Sequence, residues 1–252
     1  MKISVITVCF NSEAYIADAL RSVDAQTWAD VEHVIVDGAS RDSTLKVVAR
    51  FPQGWRRVVS ESDNGIYDAM NKGIRLATGD VVAFINSDDF YASPTVLEHV
   101  AKVFEDPTVE GCYGDLCYVL QNDIGATVRY WRAAPFEPGR FAKGWVPPHP
   151  TLFLRRNVLE RLGSFDLRYR IAADFELMAR LIEVHRIKTV YIPEVLVKMR
   201  LGGTTNNSLS NIVKQNREIW QALVEHGLQP SLSAFVLSKL MARGRQFLTR
   251  PA

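Results

Sequence analysis

Residues 80–90, Asp-Val-Val-Ala-Phe-Ile-Asn-Ser-Asp-Asp-Phe, hold an unbroken apolar run that ends in two adjacent carboxylates. Bounded by Gly79 before it and polar residues after it, the run predicts a strand buried on both faces, as in a parallel sheet. Asp88 and Asp89 then fall at the strand's carboxyl end, the side of an open α/β sheet where ligands bind. Two like charges side by side call for a counter-charge, most simply a divalent cation with oxygen ligands.

Working back from this stretch, strands and helical patterns alternate. Residues 3–10 form a strand rich in β-branched residues, and 13–26 a helix with Ile16, Ala19, Leu20 and Val23 at helical spacing. A short strand at 33–36 ends at Asp37-Gly38-Ala39-Ser40, and Ser40 or Asp42 can cap the helix that carries Leu45, Val47 and Val48. A strand at 56–60, a turn at Asp63-Asn64-Gly65 and a helix at 66–77 lead back to Gly79. This alternation implies a parallel sheet with right-handed crossovers, a Rossmann-like half. Forward of residue 90 the pattern is less regular. It predicts a helix at 94–105, strands within 111–131, a Pro- and Gly-rich loop at 135–148 and a strand at 151–154. A helix at 173–185, strand-like segments at 187–200 and helices at 205–226 and 230–248 follow. The loop is long enough to be functional.

With 252 residues, 47% of them apolar, the chain can bury a full core. A net charge of +2 without a basic, aromatic-laced run argues against a nucleic-acid partner. Cys9, Cys112 and Cys117 lack metal-site spacing, and a reducing cytosol fits them. The first residues enter a strand at once, so no signal peptide is expected, and no apolar stretch approaches the roughly 18 residues that span a bilayer.

The acidic residues divide by geometry. At about 100° per residue, Asp68 and Lys72 lie opposite Ile66, Met70, Ile74 and Ala77 and read as a surface pair worth about 0.2–0.5 kcal/mol. On the helix at 173–185 Asp174 shares the face of Leu177, Met178, Leu181 and Ile182, while Glu176, Arg180 and Glu183 point the other way, to solvent. Asp174 then serves as an N-cap, as a base, or as both. Asp37 is a ligand contact or a turn-former, and Asp63 has the same two readings.

Val-Asp-Gly-Ala-Ser-Arg-Asp-Ser-Thr (36–44), Ser-Asp-Asn-Gly-Ile-Tyr-Asp-Ala-Met-Asn-Lys-Gly-Ile (62–74), Thr-Gly-Asp-Val-Val-Ala-Phe-Ile-Asn-Ser-Asp-Asp (78–89) and Ala-Ala-Asp-Phe-Glu-Leu (172–177) resemble the successive motifs of family 2 glycosyltransferases. The opening Val-Ile-Thr-Val-Cys-Phe-Asn is a fifth motif, and all five come in the family's order. The resemblance implies a GT-A fold: a Rossmann-like half with a mostly parallel central sheet, a less regular acceptor half and C-terminal helices. It divides the chain into a glycosyltransferase domain at 1–204 and a helical extension at 205–252. Within the domain, 1–110 binds nucleotide and 111–204 the acceptor.

The resemblance also implies inverting transfer from a nucleotide sugar, UDP-linked, to a hydroxyl of a saccharide or lipid-linked acceptor, with Mg²⁺ or Mn²⁺, in bacterial surface-glycan biosynthesis. Asp174 matches the catalytic Asp. Thr7, Asn11, Asp37, Asp63 and Asp88 fall on the donor side, and Asp89, with Asp88, on the metal. The family often has Glu-Asp where this chain has Ala173-Asp174, and Asp where it has Asn86. Such transfer needs one base and no protein nucleophile, in keeping with the absence of an activated Ser or Cys constellation.

Three further residues belong to loops or strand ends. Asp115, ending a strand in Tyr113-Gly114-Asp115, faces sugar or acceptor, or makes a turn. His149, in Pro147-Pro148-His149-Pro150, is a metal or phosphate contact or a plain loop histidine. Arg200 opens a Gly-rich stretch that reads as a mobile flap over the diphosphate or as an interhelix connection. The helix at 232–250 carries an apolar arc flanked by basic residues, which fits the inner membrane surface, a second subunit or its own domain. A nucleotidyltransferase would want a Gly-rich loop after the first strand, and a dehydrogenase Gly-x-Gly-x-x-Gly; neither is present. The non-enzyme alternative is a nucleotide-sugar-binding or scaffold module on the same fold.

Overall fold

A computed structural model describes residues 1–51, 54–202 and 209–229. The first half follows the alternation read from the sequence: β1 (Ile3–Cys9), α1 (Ile16–Asp24), β2 (Val31–Asp37), α2 (Thr44–Val48), β3 (Arg56–Ser60), α3 (Ile66–Leu76) and β4 (Val81–Phe84). β1 pairs in parallel with β2 and β4, and β2 with β3. All seven residues of β1 are buried because both faces are covered. Ile6 and Val8 pack with Ala69 and Met70 of α3, while Ile3 and Val5 pack toward Ala19 and Val23 of α1. Gly73 sets the seat of α3 on the sheet: a Cβ there would meet Ile6 Cγ2 at 2.4 Å.

The sheet continues through β5 (Phe90–Tyr91), β6 (Gly111–Val119), β7 (Thr127–Trp131), β8 (Phe153–Arg155) and β9 (Thr189–Arg200), with α4 (Val96–Val103) between β5 and β6. Its order is β3-β2-β1-β4-β8-β6-β9-β5, with β7 paired to β6. β8 runs antiparallel to both β4 and β6, which turns β6 and β9 back into the direction of the first half.

Several expectations change. The strand of the opening stretch stops at Phe84, and Asn86–Asp89 form a turn closed by Asp89 N–H donating to Asn86 O at 3.1 Å. Residues 156–162, absent from the sequence reading, form the helix α5 (Arg156–Leu162), and 187–200 hold one twelve-residue strand rather than separate segments. The helix at 173–185 is α6 (Ala173–Met178) followed by a π-helical turn at Ala179–Val184.

The face of α6 assigned to solvent is buried. Glu176 is 2% exposed and accepts from Arg180 Nε at 2.7 Å, with His226 Nε2 at 2.8 Å. Glu183 accepts from Gly139 N at 2.9 Å. A second cover produces this burial: the 135–148 loop and α7 (Leu209–Glu225) lie over the face that a one-sided wheel gives to water. Ile219, Ala222 and Leu223 of α7 belong to the same core as Phe175 and Leu177. The Asp68–Lys72 pair does not form either. Lys72 Nζ meets Glu61 Oε1 at 2.9 Å and Ser62 O at 2.7 Å, while Asp68 accepts from Asn64 N at 3.0 Å, in the turn ahead of α3. The helix expected at 230–248 lies outside the described residues. Among them no helix is long and apolar enough to cross a membrane.

Candidate active site

The loops after β1, β2 and β4 meet at the carboxyl edge of the parallel strands and are stitched together. Asn11 takes φ 48°, a conformation Asn tolerates better than most residues. In it Asn11 N donates to Ser40 Oγ at 2.8 Å and its side-chain oxygen accepts from Arg41 N at 2.9 Å. Ser12 N donates to Thr44 Oγ1 at 2.7 Å, and Ser12 Oγ lies 2.8 Å from Ser87 Oγ, beside the acidic pair.

Of the residues expected on the donor side, two are turned into the protein. Thr7 is fully buried within β1 and bonded to His33 Nε2 at 2.9 Å. Asp37, also fully buried, accepts from Ser40 N at 3.0 Å and Ser60 Oγ at 2.7 Å, so it shapes its loop from beneath. Asp63 does stand at the edge. It accepts from Gly65 N at 2.8 Å, the turn role, and its other oxygen would lie 2.5 Å from a Cβ placed on Gly38. Phe10, 59% exposed, flanks the same glycine with its ring.

Asp88 and Asp89 are held in the turn behind β4. Asp89 is fully buried; its Oδ2 accepts from Asn86 Nδ2 at 3.2 Å, while its Oδ1 has no partner, and neither does Asn86 Oδ1. Burial and then the Asp88 charge push the Asp89 carboxyl well above its ordinary range, and burial raises Asp88 too. Orphaned buried oxygens beside two crowded carboxyls are the donor set a hard divalent cation takes. Among the described residues no third His, Cys, Asp or Glu joins them, so the remaining ligands would come from water and phosphate oxygens, as is usual for Mg²⁺.

Arg200 is not a flap residue. It is the last residue of β9, paired with Val119, 3% exposed, and lies over the rings of Tyr15 and Phe90. Its guanidinium pairs with Asp18 and donates to Asp88 O at 2.8 Å, bracing the acidic turn from behind. The Gly-rich stretch begins after it, and residues 203 and 204 fall outside the described residues.

Asp174 is the second residue of α6, with Ala172 in the N-cap position, so it is not the cap. The carboxylate is partly exposed and its Oδ1 lies 3.0 Å from the Tyr67 hydroxyl. Burial and then Asp174 push the Tyr67 phenol well above its ordinary range, keeping it a donor. His149 sits beside the end of β4. It is buried, its ring lies 5.4 Å from that of Phe84 at the end of β4, and the charge of Asp174 acts on it. Burial dominates and lowers the pKa of this imidazole, whose Nε2 has no partner. Asp115 lies elsewhere and does not end its strand. β6 runs on to Val119, and Asp115, 1% exposed at a register shift, accepts from Ala133 N and Tyr191 Oη, both at 2.8 Å, and from Tyr130.

Sequence reasoning passed over two residues of this region. Tyr67 lay inside a quoted motif, and a phenol one turn into a helix at the sheet edge was the available signal. Glu218, which contacts the start of α6, carried no signal at all.

An acidic turn at a parallel strand end and a separate carboxylate at the start of α6 are in keeping with a sugar-transferring enzyme of the GT-A class. The family model "Glycosyl transferase family 2" matches residues 4–163, and the chain belongs to this family. A PGL/p-HBAD biosynthesis glycosyltransferase of Mycobacterium bovis (strain BCG / Pasteur 1173P2) is 31% identical over 210 residues, covering 82% of this chain and 79% of its own. The structure of S. aureus TarS 1–349 in complex with UDP-GlcNAc superposes with a TM-score of 0.67 at 19% identity, over 89% of this chain and 67% of that one. This chain spans 40% of the longer TarS chain. The mannosyltransferase PcManGT from Pyrobaculum calidifontis, in complex with GDP-Man and Mn²⁺, gives 0.61 at 20% identity, over 99% and 81%. These likenesses establish the GT-A fold.

Proposed function

We propose that this glycosyltransferase moves a sugar from a nucleotide-sugar donor, UDP-linked in our reading, to a hydroxyl of a saccharide or lipid-linked acceptor, by inverting single displacement. One observation carries the reading: two carboxyl groups stand in opposite environments, Asp89 sealed with an unpartnered oxygen and Asp174 accessible and held by one oxygen. Carboxyls whose surroundings differ in this way take different roles. Asp174 Oδ2, the oxygen free of Tyr67, accepts the proton of the acceptor hydroxyl. The bond from that oxygen to the anomeric carbon forms as the bond to the nucleoside diphosphate breaks. His149 is neutral and adds no charge. Asp89 and Asp88, with the amide oxygen of Asn86, would hold Mg²⁺ or Mn²⁺. When bound, such a cation neutralises charge gathering on the leaving diphosphate, an effect of several kcal/mol. The exposed Phe10 ring and the Asp63 carboxylate beside Gly38 would meet the base. The relative's role in glycolipid-type biosynthesis supports placing the reaction in bacterial surface-glycan assembly.

The test is a calorimetric titration of UDP, dTDP, GDP and CDP with Mn²⁺ and again in chelator. One nucleotide is expected to bind in Mn²⁺, weaken at least about tenfold in chelator, and lose this metal dependence in Asp89→Ala. Equal affinity in both buffers for the wild type would remove the metal from the proposal.

A further inference from the structure

α6 has no side-chain cap from its own segment. The two amides just ahead of it are held from a distance instead: Glu218 Oε2, in α7, accepts from Ile171 N at 2.8 Å and from the N-cap Ala172 N at 2.9 Å. The carbonyl of the same Ile171 lies 2.9 Å from the Tyr67 hydroxyl, which also reaches Asp174 Oδ1. Ile171 N–H is thus held by α7, and the single Tyr67 proton is shared between the Ile171 carbonyl and Asp174 Oδ1, three residues on. The phenol and Glu218 are close enough for the charge of Glu218 to act on Tyr67.

We propose that Glu218 is a positioning residue for the Asp174 base, fixing the start of its helix from α7 while Tyr67 fixes the carboxylate from α3. The inference rests on Asp174 being the base. A short helix entered without a local cap frays from its first turn, and Asp174 is in that turn. The clamp replaces the missing cap and leaves Oδ2 directed to the acceptor.

Glu218→Ala, Glu218→Gln and Asp174→Asn, each in the full chain, test it. Turnover is read as UDP release from UDP-GlcNAc or GDP release from GDP-mannose, whichever nucleotide binds in the calorimetric screen, and backbone order as amide exchange over residues 170–176. Glu218→Ala is expected to speed exchange there at least about tenfold and to lower kcat about 10²-fold, with donor KM within about twofold. Glu218→Gln keeps an oxygen acceptor and should restore most of both. Unchanged exchange and kcat in Glu218→Ala overturns the inference, as does a fall of nucleotide affinity in step with kcat, or a Gln variant as impaired as the Ala one. Asp174→Asn with undiminished turnover removes the base reading, and the exchange data then judge the clamp alone. An inactive Asp174→Asn beside a fully active Glu218→Ala removes the clamp and spares the base.

Discussion

Asp89 and Asp174 are carboxyls held by contrasting means. Asp89 is sealed in the Asn86–Asp89 turn, which Ser12 and Arg200 brace from other elements, and is left with an oxygen that no protein group satisfies. Asp174 is fixed by residues remote in sequence, Tyr67 of α3 and, through Ile171, Glu218 of α7, and it remains accessible. The first arrangement stores an unmet demand that a cation can fill. The second holds a working group still without spending its free oxygen.

The difference breaks most sharply at Asp174. Replacement by Asn should cut turnover by about 10²- to 10⁴-fold while nucleotide affinity stays within about twofold, because a base acts on the acceptor and not on the donor's diphosphate. Matched losses in single-turnover rate and in calorimetric affinity would place Asp174 with Asp89 on the donor side. Tyr67→Phe removes one hydrogen bond and keeps the ring against Phe165, so kcat should fall only about three- to tenfold, the value of about 0.5–1.5 kcal/mol. A larger fall, with raised donor KM, would mean that Tyr67 also serves the donor.

The smallest effect concerns pH and stability. Burial raises the pKa of Glu176, but hydrogen bonds from His226 and Arg180 outweigh it and hold the group below its ordinary 4.5. A depressed carboxyl pKa means that the unfolded chain binds more protons, so the stability from Glu176 is present above pH 4.5 and lost as pH falls through the folded value. The groups facing it are Arg180, His226 and, further off, Tyr169. Urea unfolding at pH 7 and pH 4 should show Glu176→Gln losing less stability than the wild type on acidification. A parallel loss in both would place the acid sensitivity elsewhere, for instance in the Asp166 and Glu225 pairs of Arg168.

What the sequence revealed follows the reach of local pattern. The strand-helix alternation to residue 84 and the acidic pair could be read because each depends on local periodicity or on a motif, whereas Asp174, expected to be the one inward acid of its helix, is partly exposed while Glu176 and Glu183 are buried. The donor loops stand where that reading put them, although Thr7 and Asp37 face inward as struts. Glu176 and Glu183 were given to solvent because a helical wheel knows one partner surface, and α6 has two. Lys72 found Glu61 rather than Asp68 because Asp68 turns back to the Asn64 amide ahead of α3. Arg200 read as loop because Gly202 and Gly203 follow it, whereas pairing with Val119 carries β9 through the arginine itself.

Gly73 lies two turns beyond Tyr67 on α3, and its hydrogen is all that separates the helix from the Ile6 side chain, which is 1% exposed. A methyl group at that point must pry α3 off β1, because a β-branched side chain locked in the sheet has nowhere to retreat. The phenol rides on the same rigid rod, so lifting the rod displaces the oxygen that Asp174 leans on. The smallest residue in the helix therefore works as a fulcrum: a substitution there, remote from any reacting atom, would register first as a misaimed carboxylate and only second as a packing fault.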